Sequence, residues 1–218
     1  MDDLIVRVLR AVACRTRLRI LSYLAGVEEA TPSQLAKDLY LRRDLVSAHL
    51  ARLDSVGLVV RRRSGPRCYC AARSPYGTAT LSGQVAGWLY DALRTGSKGQ
   101  SRPMTSHQGS VAAHDASAKS HGLVFDAATA FTSLRRIQIL RRAARGEPVD
   151  SPTLSSELRM SETAVSRHLS KLARRGYLEL ARQRRRLVCK LSATPKTRLH
   201  AKLFDIVAAH WGRAILRS

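Results

Sequence analysis

Apolar residues return at helical spacing through most of this chain, and two short runs alternate instead. Leu4, Ile5, Val8, Leu9 and Val12 mark one side of a first helix over residues 2 to about 13. Leu18, Leu21 and Leu24 mark a second over 15–25, ended by Gly26. Thr31-Pro32-Ser33-Gln34 is a compact helix start, with Thr31 as N-cap, Pro32 at the first helical position and Gln34 completing a capping box. The helix it opens, about 32–39, buries Leu35 and Leu39. After a turn at Tyr40-Leu41 another runs to about residue 56 on Val46, Leu50 and Leu53, and Gly57 stops it. Residues 58–72 read as two short strands around Ser64-Gly65-Pro66. A closing helix over about 78–93 is apolar on Leu81, Val85, Trp88 and Leu89.

Residues 95–121 lack any sustained period and are rich in Ser, Gly, Ala and His, so a flexible linker is expected there. Ala-rich local helix fits that composition; a packed element does not. The pattern then starts again. Residues 17–57 align without a gap onto 136–176, an offset of 119 (136 − 17), and Val-Ser-x-His-Leu-x-x-Leu recurs at 46–53 and 165–172. The second copy centres on residues 161–176, where Val165, Leu169 and Leu172 form a narrow apolar seam and Ser161 and Gly176 stand at cap positions. A hairpin over 177–193, with 181–186 at its tip, and a last helix over about 197–216 follow. Two domains, 1–94 and 122–218, are therefore expected, mainly α with small β-hairpins (an α+β class). Each has the order of a winged helix-turn-helix.

The net charge of +22 and a pI near 11.3 point to a polyanionic partner, nucleic acid or an anionic membrane surface. No run of 18 apolar residues is present to span a bilayer. The acidic start without an apolar stretch gives no expectation of a secretory signal, and the four cysteines are expected to be reduced thiols in the cytoplasm. There is no Walker loop, G-x-S-x-G, H-E-x-x-H or paired-carboxylate cluster, so no catalytic residue and no cofactor are expected.

The outer face of the second helix is short-polar and cationic. Thr163, Ser166 and Arg167 are expected at DNA base edges, with Lys171 and Arg174 on phosphates. The matching positions of the first helix are Arg43, Asp44, Ser47 and Arg52, with Arg42 at its start. Ala48 stands where the second copy has Arg167, and no hydroxyl caps the helix, so this copy either reads different bases or mainly grips phosphate. Arg61, Arg62, Arg63 and Arg67 bracket one hairpin turn; Arg182, Arg184, Arg185 and Arg186 bracket the other. Such arginines reach into a minor groove or fork onto phosphate, or else they only blunt sheet edges. His49 and His168 share a repeat position and either meet phosphate or stack internally. Up to Arg94 the chain has fifteen Lys and Arg against eight acids, and from Leu123 twenty against seven, so the second half is expected to carry most of the salt-sensitive affinity.

The segments ACRTRLRIL (13–21), LVSAHLARLDSVGLV (45–59), RRIQIL (135–140) and MSETAVSRHLSKLARRGYLELARQRRRLVCKLS (160–192) resemble the ArsR-type family of winged-helix bacterial transcriptional regulators. The resemblance covers nearly everything outside the linker, twice. It implies a cytoplasmic, nucleoid-associated repressor that binds double-stranded DNA, with its recognition helix in the major groove and its wing on the backbone or minor groove. Family members usually hold one such domain and form homodimers. With two in one chain, an intramolecular pseudo-dimer or a homodimer is expected; a flexible linker of this length spans about 29 Å, near the roughly 34 Å between half-sites one turn apart. The family's Cys-x-Cys thiol pattern is missing from both recognition helices. Cys68 and Cys70 lie on a strand, and Cys189 matches Cys70 as a core position, while His200, Asp205 and His210 lack the family's zinc spacing, so no metal site is expected. The rival readings are a low-specificity architectural DNA binder, favoured by the charge, and a protein- or RNA-binding use of the same fold.

Overall fold

The apolar stripe of α1 (Asp2–Val12) is buried as its spacing predicts, with Ile5, Val8, Leu9 and Val12 fully covered. The computed structural model describes residues 1–97, 109–183 and 186–211. After α2 (Arg15–Ala25), α3 (Pro32–Asp38) opens on the expected capping box. Gln34 N–H donates to Thr31 Oγ1 at 3.3 Å and Thr31 N–H donates to Gln34 Oε1 at 2.8 Å, so two donors at the helix start are satisfied. α4 (Arg43–Asp54) seats Val46, Leu50 and Leu53 in the core. Gly57 then takes φ +70°, and a Cβ there would lie 2.2 Å from the Tyr76 ring, so the turn calls for glycine. β1 (Val60–Ser64) and β2 (Arg67–Ala71) pair antiparallel, Val60 opposite Ala71 and Ser64 opposite Arg67. α5 (Leu81–Ser97) starts later than its apolar spacing predicts. Thr80 Oγ1 accepts from Gly83 N–H at 3.1 Å and donates to the Gly77 carbonyl at 2.9 Å, which makes Thr80 the cap.

The second half follows with α6 (Gly109–Thr129), α7 (Leu134–Ala143), β3 (Val149–Asp150), α8 (Ser151–Leu158), α9 (Glu162–Arg174), β4 (Leu178–Gln183), β5 (Arg186–Leu191) and α10 (Arg198–Trp211). The starts of α7, α8, α9 and β5 fall 119 residues after those of α2, α3, α4 and β2. Backbone detail keeps that offset. Tyr40 (φ 53°) and Arg159 (φ 49°) are both left-handed, and Gly176 (φ 74°) matches Gly57. β3 pairs β5, Val149 opposite Cys189, giving the order β3-β5-β4; the matching place in the first half holds the bridge Ala30–Cys70.

Hydrogen bonds carry the correspondence further back than the sequence register does. Arg17 Nε and Nη2 donate to the carbonyls of Ala11 and Arg10 at 2.5 and 2.8 Å. Arg136 Nε and Nη2 donate to those of Ala130 and Thr129 at 3.0 and 2.9 Å. The end of α6 thus stands to α7 as the end of α1 stands to α2.

Part of the segment expected as a linker is helical. Residues 95–97 end α5, and 109–121 belong to α6, while 98–108 lie outside the described residues. Within 109–129 the alanines favour helix and no proline interrupts the run before the buried Val124, Ala127 and Ala128. The units are Arg10–Phe125, and Met1–Leu9 together with the chain from Asp126 onward. They differ from the continuous spans 1–94 and 122–218 because the start of α1 joins the second winged helix, where Asp2 ion-pairs with Arg141. The last expected helix, to residue 216, is described to Trp211. No described helix is long and apolar enough to cross a membrane.

Candidate nucleic-acid interface

α9 is framed at both ends by the residues its sequence marks. Ser161 Oγ accepts from Ala164 N–H at 3.3 Å, and at Gly176 a Cβ would lie 2.6 Å from Lys196 Cβ. Val165, Leu169 and Leu172 have no exposed surface. The other side leaves Thr163, Arg167, Ser170, Lys171 and Arg174 exposed and Ser166 half-buried. Among the described residues Arg167, Lys171 and Arg174 have no ion-pair partner. A guanidinium so presented can bond two acceptors of one guanine edge, and short hydroxyls adapt to several edges.

α4 offers less. It spans 43–54, shorter than the expected helix to 56, and its N-cap Arg42 makes no side-chain cap bond. Instead the Arg42 guanidinium lies 2.7 Å from Asp44, both exposed, so these two candidates engage each other. Arg43 and Arg52 are exposed, Ser47 and His49 half-buried, and Ala48 leaves a bare surface where α9 carries Arg167.

The wings divide their arginines between two tasks. Strand alternation sets Arg61 and Arg63 on one face of β1 and Arg62 on the other. Arg62 reaches back to Glu29 at 2.6 Å and lies 5.2 Å from the Tyr69 ring centroid. That hydrogen bond holds the Glu29 carboxyl below its ordinary range. In the second wing Arg186 has this role, 3.1 Å from Asp150, whose carboxylate also accepts from Thr153 N–H at 2.9 Å to cap α8. The Thr153 bonds first, and Arg186 after them, keep the Asp150 carboxyl below the usual value. Arg62 and Arg186, both expected on DNA, each form an ion pair in the free chain, with Glu29 before α3 and with Asp150 before α8. Arg67 and Arg182 are exposed. The expected tip at 181–186 is narrower, since pairing continues to Gln183 opposite Arg186. Arg184 and Arg185 lie outside the described residues.

His49 and His168 sit beside Arg17 and Arg136 respectively. Burial, then Arg17, pushes the His49 imidazole below its ordinary value; burial, then Arg136 and Lys171, does the same to His168. His168 Nδ1 is buried without a hydrogen-bond partner. These surroundings support the internally packed reading. Cys70 and Cys189 are buried at matching places, and burial raises each thiol to about 11, away from thiolate chemistry at neutral pH. Among the described residues no group of three or more His, Cys, Asp or Glu is placed to hold a metal ion.

Sequence reasoning did not single out Arg17 and Arg136, although both open the aligned register. It also passed over Arg19 and Arg135, whose guanidinium groups donate to the Leu39 and Leu158 carbonyls at 2.8 and 2.9 Å. The two carbonyls are repeat counterparts and the two arginines are not, so no alignment marks them.

Helix-turn-helix, glycine turn and basic hairpin are now in place in both units. Residues 15–66 match the MarR family. The match runs from the start of α2 to the turn of the first wing, and supports a winged helix of the kind found in DNA-binding regulators. The chain is also similar to HlyU from Vibrio cholerae N16961, at 26% identity over 43% of this chain and 94% of that one, with a TM-score of 0.35. An ArsR family transcriptional regulator is 18% identical over 44% of this chain and 95% of its own, with a TM-score of 0.33. No curated protein matches the chain.

Proposed function

We propose that this protein is a sequence-specific double-stranded DNA-binding transcriptional regulator with two fused winged helices, of ArsR type and acting as a repressor in the cytoplasm. The observation that carries the reading is the outer face of α9, where Thr163, Ser166 and Arg167 stand over a fully buried seam and Arg167 has no ion-pair partner among the described residues. α9 enters the major groove, Lys171 and Arg174 take phosphates, and Arg182 with its neighbours follows the backbone or the minor groove. α4 contributes through Arg43 and Arg52, and the two readers act as an intramolecular pair or within a homodimer.

Selection of bound sites from a random duplex library tests this. A defined motif, with the spacing and symmetry of its half-sites, is the expected result. The second reading, a low-specificity architectural binder, is favoured by the net charge of +22 and by the pairing of Arg42 with Asp44 on α4. It predicts a selected pool bound no better than random duplex at matched salt, and that result would overturn the regulator reading.

A further inference from the structure

Each helix-turn-helix makes its turn on a residue that is strained there. α3 ends with Leu41 N–H donating to the Ala36 carbonyl at 2.9 Å and Tyr40 N–H to that of Lys37 at 3.3 Å. α8 ends the same way, Met160 N–H on Ser155 at 3.0 Å and Arg159 N–H on Ser156 at 3.3 Å. A helix end of this kind takes one left-handed residue, usually glycine, because a Cβ is strained in that conformation. Here the residues are Tyr40 and Arg159, the only non-glycine residues with positive φ among those described. Their side chains do not hold the turn. Tyr40 is 93% exposed, and Arg159 is exposed with no ion-pair partner among the described residues. Other groups brace it, Arg19 on the Leu39 carbonyl and Arg135 on that of Leu158. Both copies thus keep a long, donor-bearing side chain where glycine would be unstrained, and the fold gains little contact from either.

Strain kept at matched places, with no packing to account for it, points to a partner. Position names that partner. When a helix-turn-helix binds DNA, its first helix crosses the backbone and its second enters the major groove, so the turn between them lies along the edge of the groove. We propose that Tyr40 and Arg159 are matched backbone contacts, each donating to a phosphate at that edge, Arg159 as a charge and Tyr40 through a neutral hydroxyl. Both contacts presuppose the DNA-binding reading given above, and they lie outside the recognition helices and the wings.

Binding of a labelled mixed-sequence duplex by the full chain is followed by fluorescence anisotropy across a salt series, beside thermal melts. Tyr40→Gly and Arg159→Gly should each raise the melting midpoint by about 2–4 °C, because the strain is relieved. Both should nevertheless weaken binding, Tyr40→Gly about fivefold and Arg159→Gly about tenfold. The salt slope separates them, falling by about one for Arg159→Gly and staying unchanged for Tyr40→Gly. Arg159→Lys should restore the slope, whereas Arg159→Asn, which tolerates the left-handed turn, should not. Tyr40→Phe should weaken binding as Tyr40→Gly does. A glycine variant that binds as tightly as wild type would overturn the proposal for that copy. So would a destabilised one, because the side chain would then be holding the turn. Failure of the wild-type chain to bind duplex would remove the DNA-binding reading and this proposal together; wild-type binding with unaltered variants would remove this proposal alone.

Discussion

The two helix-turn-helix segments share the offset of 119 and the arginine bonds of Arg17 and Arg136, yet the outer faces of α4 and α9 differ. α9 has a hydroxyl cap, a zero-exposure seam and, among the described residues, no ion-pair partner on Arg167, Lys171 or Arg174. At the corresponding places α4 has Arg42 folded onto Asp44, a bare Ala48 and Arg52. The same backbone plan therefore tolerates wide change on its outer face, because the seam and turns, not the exposed residues, hold each helix in position. The core differs as well: buried His200 in α10 matches Leu81 in α5.

The largest expected effect breaks the symmetry through that core pair. His200 Nδ1 lies 2.8 Å from Thr197 Oγ1, its Nε2 has no partner, and burial, then Lys196 and Arg175, pushes it down to about 4. Between about pH 6.5 and 4 the unfolded chain binds the proton and the folded one does not. Stability is thus intact above the unfolded value and falls as pH drops toward 4, by on the order of 3 kcal/mol. Thermal melts of wild type and His200→Leu across that window should diverge, with the flatter profile in the variant. Parallel profiles would remove His200 as the acid-sensitive group of the second unit.

Next come the matched glycines. Both have positive φ, so alanine is strained at either, but the obstruction differs: the partly exposed Tyr76 ring can swing away from residue 57, whereas Lys196 Cβ is fixed to the backbone near residue 176. Gly176→Ala should cost about 2 kcal/mol or more and Gly57→Ala about 1, read as denaturant midpoints. The reverse order would show that the side-chain end of the contact is the rigid one.

On the reading faces, Arg167→Ala should weaken a selected site by about tenfold and relax preference at one base position. Ala48→Arg tests the same place in the first copy. If α4 lies in a groove it should change the selected motif at the other half-site, and an unchanged motif would confine base reading to α9.

The smallest expected effect concerns the wings. Arg182→Ala should flatten the salt dependence of DNA binding by about one counter-ion. Arg186→Ala, which removes a group already tied to Asp150, should flatten it less, and Arg62→Ala less than Arg63→Ala for the same reason. Equal slopes would mean that the acids release these arginines when DNA arrives.

Much of this was legible from local signals. The capping box at Thr31, the Ser161 cap, the seams on α4 and α9 and the glycine turns are short-range features that residue type decides, and each stands where its spacing places it. Gly57 and Gly176 could be read as stops, although the groups that demand them, Tyr76 and Lys196, come from about twenty residues further on. α6 was only partly legible, because serine, glycine and histidine dilute the alanine signal, and because its C-terminal end is held by Arg136 from the next helix.

By itself the sequence determined the repeated order of helices and hairpins, the apolar positions that face inward and the surplus of positive charge. Those properties follow from periodicity, caps and composition, which act over a few residues. Only the tertiary structure decided which arginines are occupied. Arg62 finds Glu29 from 33 residues away and Arg186 finds Asp150 from 36, while Arg167 and Lys171 find no acid among the described residues. It also placed Met1–Leu9 with the second winged helix. A charge on a long side chain goes wherever a counter-charge lies within reach, and reach is a property of the folded chain.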